Sequence, residues 1–177
     1  MITVEKSRLY LYDNKHKKAI KELDLLIKKY PIDADLYVLR GDIKKDINEN
    51  EEAIKDYNKA LELDPNCAGA QVSLCAYYSE KYDMVNLEYY LHKILANENI
   101  SIHDKTRYIE FALNFYKTDA DYAEKIDKVF NSVIKANPES TEVLLMYAHV
   151  LRDMKKTEKV LEVLQSAVLL NEKCLLC

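Results

Sequence analysis

The chain has 177 residues, is 49 % hydrophobic and carries a formal net charge of −4, enough for one domain with a core and too apolar for a disordered polyelectrolyte. Mild acidity argues against nucleic acid, because neutralising phosphates needs a clustered cationic surface. Two Gly and three Pro cannot supply the tight turns of a sheet, so the expected fold class is all-α.

Pro31 and Pro65 lie 34 residues apart and Pro138 lies 73 further on, which divides into 34 and 39 with Asn99 in the missing proline's place. The spacing predicts five helical hairpins in a single domain, 1–177, with units at about 1–33, 34–67, 68–101, 105–140 and 141–174. The first opens at Met1 or Ile2 without a preceding cap and carries Ser7, Ala19, Leu23 and Leu26. Its basic runs, Lys15, Lys17 and Lys18, then Lys28 and Lys29, are broken by acids and read as solvated helix face. The second, Ala34 to Asn66, is the most regular, with Tyr37, Gly41, Ala53, Tyr57, Ala60 and Pro65. The third places Cys75, Leu87, Leu91 and Ile94 in the same columns. In the fourth, Ala112, Ile126, Phe130 and Val133 continue them, with about three extra residues before Lys105 and two in the turn near Thr118 to Asp121. Ala148, Val160, Leu164 and Ala167 do so in the fifth.

Ala53, Tyr57 and Ala60 are spaced i, i+4, i+7 and share one helix face. Small residues such as Gly41 let antiparallel helices approach, and Tyr37 and Tyr57 fill the space left. Pro65 stops the second helix, lacking the amide needed to continue it. One hairpin cannot bury such a face alone, so hairpins must stack.

Tyr37, Gly41, Ala53, Tyr57, Ala60 and Pro65 make the chain resemble the tetratricopeptide repeat family, most closely over Ala34 to Cys67. Thr3, Lys6 and Leu87 depart from its pattern. The segment from Tyr77 to Phe111 is also similar to the long tetratricopeptide proteins of Bacteroidetes, many of which act at the cell envelope. The resemblance implies an α-α superhelix, a right-handed solenoid whose first helices line a concave groove for a peptide or protein segment. Carried over by register, that groove comprises Arg8 and Tyr12, then Val38, Asp42 and Lys45, then Val72, Ala76 and Ser79. It continues with Ile109, Leu113 and Tyr116, and ends with Leu145, His149 and Arg152. Family members that clamp acidic tails use Lys, Asn and Arg. Val4, Arg8, Leu39, Gly69 and Ser73 stand there instead, so an apolar segment is the better expected ligand. Ile109 and Leu113 have a competing reading as packing between neighbouring first helices. Tyr37, Tyr57, Tyr78 and Tyr108 read as core, Tyr12 and Tyr116 as surface.

No phosphate loop, nucleophile elbow or zinc-protease motif occurs, so no enzyme and no cofactor is expected. Cys174 and Cys177 lack the second ligand pair of a zinc site, and His16, His92, His103 and His149 are scattered, so no metal is expected. Cys75 reads as a buried small hydrophobe. The longest apolar run, Val143 to Leu151, is too short to span a bilayer, and no membrane insertion is expected. Reduced thiols point by default to a reducing, cytoplasmic compartment. The ending KCLLC reads as the start of a sixth hairpin, which suggests a fragment of a longer, envelope or assembly protein. The leading expectation is a non-enzymatic scaffold binding a protein partner. The alternative is a structural solenoid that self-associates through an uncapped carboxyl end around Leu170, Leu175 and Leu176. RNA would need a basic groove, which Val38, Val72, Ile109 and Leu145 do not offer.

Overall fold

The computed structural model describes residues 4–175, with side chains through Asn171. The side chains of Cys174, Leu175, Leu176 and Cys177, and the opening at Met1, Ile2 and Thr3, lie outside the described residues. Ten helices and no strand occur among the described residues. They are α1 (Val4–Tyr12), α2 (His16–Lys29), α3 (Ala34–Asp46), α4 (Asn50–Leu63), α5 (Ala68–Glu80), α6 (Met84–Ala96), α7 (Ile102–Phe115), α8 (Tyr122–Ala136), α9 (Thr141–Asp153) and α10 (Thr157–Leu175). The all-α expectation holds. α7 begins at Ile102, three residues ahead of the repeat edge read at Lys105. Ser101 sets that start by accepting the Asp104 amide at 3.1 Å.

The turn inside a hairpin is built the same way four times. Asn14, Asn48, Tyr82 and Lys155 each stand in the left-handed region, at φ 55, 64, 55 and 59°. In the second hairpin the Asn48 amide donates to the Lys45 carbonyl and the Glu49 amide to the Lys44 carbonyl, at 2.9 and 2.8 Å. Residues 14 and 15, 82 and 83, and 155 and 156 repeat this pair of bonds. This is a Schellman closure, which satisfies the last carbonyls of the first helix and usually employs Gly. Asn tolerates the conformation, whereas Tyr82 and Lys155 hold it against a Cβ clash.

The chain forms two compact units, Met1–Tyr90 and Leu91–Cys177. In the first, α2 and α3 meet through Ala19, Leu23, Leu26, Leu36 and Ile43, all at most 5 % exposed. Within the second hairpin, a Cβ on Gly41 would stand 2.6 Å from Tyr57 Cε1. The absent side chain is therefore what admits the Tyr57 ring, itself 1 % exposed. In the second unit Phe130 and Tyr147 stack at 4.6 Å, and Ile126, Val129, Val133 and Val143 are fully buried around them.

Polar contacts recur at the same period, which the apolar columns did not announce. Tyr37 Oη donates to the Pro31 carbonyl and Gln71 Nε2 to the Pro65 carbonyl, at 3.0 and 2.9 Å, tying each first helix to the turn before it. Lys6 pairs with Glu22, and one repeat later Arg40 pairs with Asp56, whose second oxygen also receives Lys44 at 2.8 Å. The third hairpin puts Leu74 and Tyr90 at those positions, both buried.

Some expectations need correcting. Tyr116, read as surface, is 0 % exposed. The longer turn after α7 lets its ring fold inward, where its hydroxyl lies 3.1 Å from His92 and Lys125 stands 4.9 Å over its face. Tyr78 and Tyr108, read as core, are only half-buried. Leu164 continues the column of Leu23, Tyr57, Leu91 and Phe130 but is 36 % exposed, because no helix among the described residues follows α10 to cover it. Cys75 is buried as expected, and burial pushes its thiol up to about 11, which leaves it unreactive near neutrality.

Candidate functional site

The face read as a groove is, in the second hairpin, occupied by the protein itself. α5 crosses the cleft between α3 and α4, and Gly69 permits the approach. A Cβ there would stand 2.9 Å from Val38 Cγ1. Val38 is accordingly 8 % exposed. Asp42 accepts from Tyr57 Oη at 2.8 Å and from Ser73 Oγ at 3.0 Å, joining three helices through one carboxylate. Burial raises the Tyr57 phenol's pKa, and the Asp42 charge raises it further. Lys45 reaches Glu80 at 2.9 Å. Val38, Asp42 and Lys45 thus contact the next first helix, with Val38 buried and Asp42 and Lys45 partly exposed.

The remaining positions separate by coverage. Arg8 and Tyr12 on α1 are exposed, Tyr12 at 89 %. On α5, Val72 and Ser79 are half-buried and Ala76 is exposed. On α7, Ile109 joins Tyr116 in the core, both at 0 %, so neither offers surface, while Leu113 is half-buried. For Ile109 the competing packing reading fits its burial.

Leu145, His149 and Arg152 on α9 are exposed and come together. With Ala148 of the same helix and Val160 and Leu164 of α10 they line a mostly apolar cleft of about 110 Å³. This is the fifth-hairpin counterpart of the α3–α4 cleft that α5 fills. Val160 and Leu164 read in the sequence only as core columns. The missing signal is coverage: among the described residues no helix lies over this hairpin as α5 lies over the second.

Below the cleft, Asp127 fixes α8 to both α9 and α10. It accepts from Tyr147 Oη at 2.6 Å and from Lys159 Nζ at 2.6 Å, with Lys156 at 3.5 Å. Burial alone would raise the Asp127 carboxyl, but the bonds from Lys159 and Tyr147 outweigh it and hold the group below the usual carboxylate range. Tyr147 is correspondingly pushed up to about 12, first by burial and then by Asp127. Lys105 is a different case: it is 0 % exposed and its Nζ has no hydrogen-bond partner. Burial lowers its pKa, partly opposed by Glu98. Among the described residues no group of three or more His, Cys, Asp or Glu is placed to hold a metal ion. None of the helices is long and apolar enough to cross a membrane.

A tetratricopeptide repeat model matches residues 34–67. Over 126 residues the chain is 31 % identical to the human protein O-mannosyl-transferase TMTC3, a match that takes in 69 % of this chain and 13 % of that protein's length. MamA of Desulfovibrio magneticus RS-1 superposes with a TM-score of 0.53 at 16 % identity, over 96 % of this chain and 93 % of that one. Another MamA structure gives 0.50 at 15 % identity, over 97 % of both chains. These two likenesses bear on the fold alone. With the repeat match, the 34-residue columns and the hairpins that carry them, residues 34–67 are a tetratricopeptide repeat and the chain has the fold of stacked repeats of that kind.

Proposed function

We propose that this chain is a non-enzymatic scaffold that holds a helical segment of a protein in the cleft between α9 and α10. The observation that carries the reading is that cleft itself. Val160, Leu164, Ala148 and Leu145 present an apolar floor, with His149 and Arg152 as polar groups beside it. In the second hairpin the corresponding surface is covered by α5, which supports a helix as the occupant of this cleft. Apolar floor with a few directional polar groups is the pattern of helix-in-groove recognition. Catalysis forms no part of this proposal, and the mannosyl-transferase name belongs to a protein of which the chain matches 13 %.

Site-specific photo-crosslinking from position 145 in cells tests it, compared between the parent and a Leu164→Glu variant whose thermal melt is unchanged. A cross-linked protein lost in the variant supports the cleft. Equal cross-linking from both, or none from either, overturns it.

A further inference from the structure

We infer that the exposed apolar edge of the third hairpin, Tyr82 with Met84, Val85 and Tyr89, is a two-fold contact between two copies of this chain. It is separate from the α9–α10 cleft and stands or falls without it.

The other four hairpins supply the comparison. Val85 and Tyr89 are spaced i, i+4 on α6, so they share a helix face, and they are 78 and 53 % exposed. In register they correspond to Lys17 and Lys21, Glu51 and Lys55, Glu124 and Lys128, and Glu158 and Glu162, all of them exposed and charged. Glu124 and Lys128 show the ordinary use of the pair, an ion bridge of 2.8 Å along the helix. The third hairpin has no charge at either place. Tyr82 departs in the same direction. It stands where Asn14, Asn48 and Lys155 stand, in the left-handed region at φ 55°, with the residue 80 % exposed. An aromatic ring held there against a Cβ clash and turned to water points to a contact outside the hairpin. Met84, 47 % exposed, adjoins Val85 and enlarges the apolar surface.

The Tyr89 ring is fixed by its neighbours. It meets the Tyr90 ring edge-on at 5.0 Å, and Tyr90 stacks on Tyr78 at 5.7 Å. A ring already set in place loses little freedom when it is covered, which suits it to be an anchor.

Area and charge argue for a second copy as the occupant. The four side chains present on the order of 450 Å², a large patch for a small chain. Two such patches face to face cover about 900 Å², and the polar rim of Lys81, Asp83 and Glu88 carries the total past the roughly 1,000 Å² of a specific contact. That rim holds both signs of charge, so it selects neither a basic nor an acidic partner. Val85 lies between Tyr82 and Tyr89 along the chain. A two-fold axis near Val85 therefore sets Tyr82 of each copy against Tyr89 of the other. Both copies use the same surface, so association stops at the dimer.

Sedimentation velocity of the purified 177-residue chain, from about 1 μM to about 1 mM, is the test. The parent is expected to pass from monomer to dimer and to nothing larger. Val85→Glu with Tyr89→Lys installs the pair that the second hairpin carries at Glu51 and Lys55, and is expected to stay monomeric with an unchanged urea midpoint. Tyr82→Asn installs the second hairpin's turn residue and is expected to weaken association on the order of tenfold. A benzophenone side chain placed at position 85 is expected to link to the 82–89 segment of the second copy, read by mass spectrometry on a mixture of isotopically light and heavy chains. A parent that stays monomeric, variants that dimerise like the parent, or cross-links that fall elsewhere on the second copy would overturn the inference. If the chain is monomeric while position 85 captures a different protein in cells, self-association is overturned and the patch belongs to that protein.

Discussion

Gly41 and Lys105 set the two extremes of what one residue does in this chain. At Gly41 the space is already taken by the Tyr57 ring, 2.6 Å from where a Cβ would be. Gly41→Leu is therefore expected to destabilise by about 1–3 kcal/mol, or more, through overpacking, read as a lower urea midpoint. Lys105 holds a cation with no hydrogen-bond partner where the residue is fully buried. Lys105→Met keeps the length and removes the charge, and is expected to stabilise by about 1–3 kcal/mol at neutral pH. Burial places the folded pKa below the unfolded value near 10.4. The folded state thus binds fewer protons between the two, and the parent regains stability as pH rises through that window. The gap between Lys105→Met and parent should be full below the folded pKa and close as pH approaches 10. A gap that is constant from neutral to alkaline pH would show that Lys105 is not the source.

Elements are held by devices that repeat with the chain but change chemistry from hairpin to hairpin. Arg40 and Asp56 lock α3 to α4 by charge where α5 and α6 use Leu74 and Tyr90. Asp56→Ala leaves Lys44 without its partner and Arg40 with the exposed Asp24 alone, and is expected to cost about 1–3 kcal/mol. Arg40→Leu with Asp56→Tyr installs the third hairpin's pair and should recover most of that loss, measured by denaturation of all three proteins. The Schellman turn gives a second case. Tyr82 is 80 % exposed and sits at φ 55°, so its ring contributes little that offsets the clash. Tyr82→Gly is expected to raise stability by about 1 kcal/mol; a fall in the melting temperature would mean the exposed ring makes a contact that matters.

At the scale of the molecule, the first and fifth hairpins each pack on one neighbouring hairpin among the described residues, so in the isolated 177-residue chain they are expected to be the weakest. In dilute protein, hydrogen exchange should be faster in α1 and α10 than in α4 or α8. Uniform protection along the chain would count against independent end hairpins.

The sequence alone determined the fold class, the 34-residue period and most of the core, because helix faces and side-chain sizes are local properties that recur at fixed spacing. Ala19, Ala53, Ala60, Phe130 and Ala148 could be placed that way, and all are buried. Only the tertiary structure decided which faces stay open, since coverage depends on how closely the next helix approaches. Gly69 let α5 close over Val38 and Asp42, and a longer turn after α7 drew Tyr116 inside. The ion-pair column was hidden because charged side chains at helical spacing look alike whether solvated or buried. The α9–α10 cleft was hidden for the opposite reason: Val160 and Leu164 have the pattern of a core, and among the described residues no helix lies over them as α5 lies over the second hairpin.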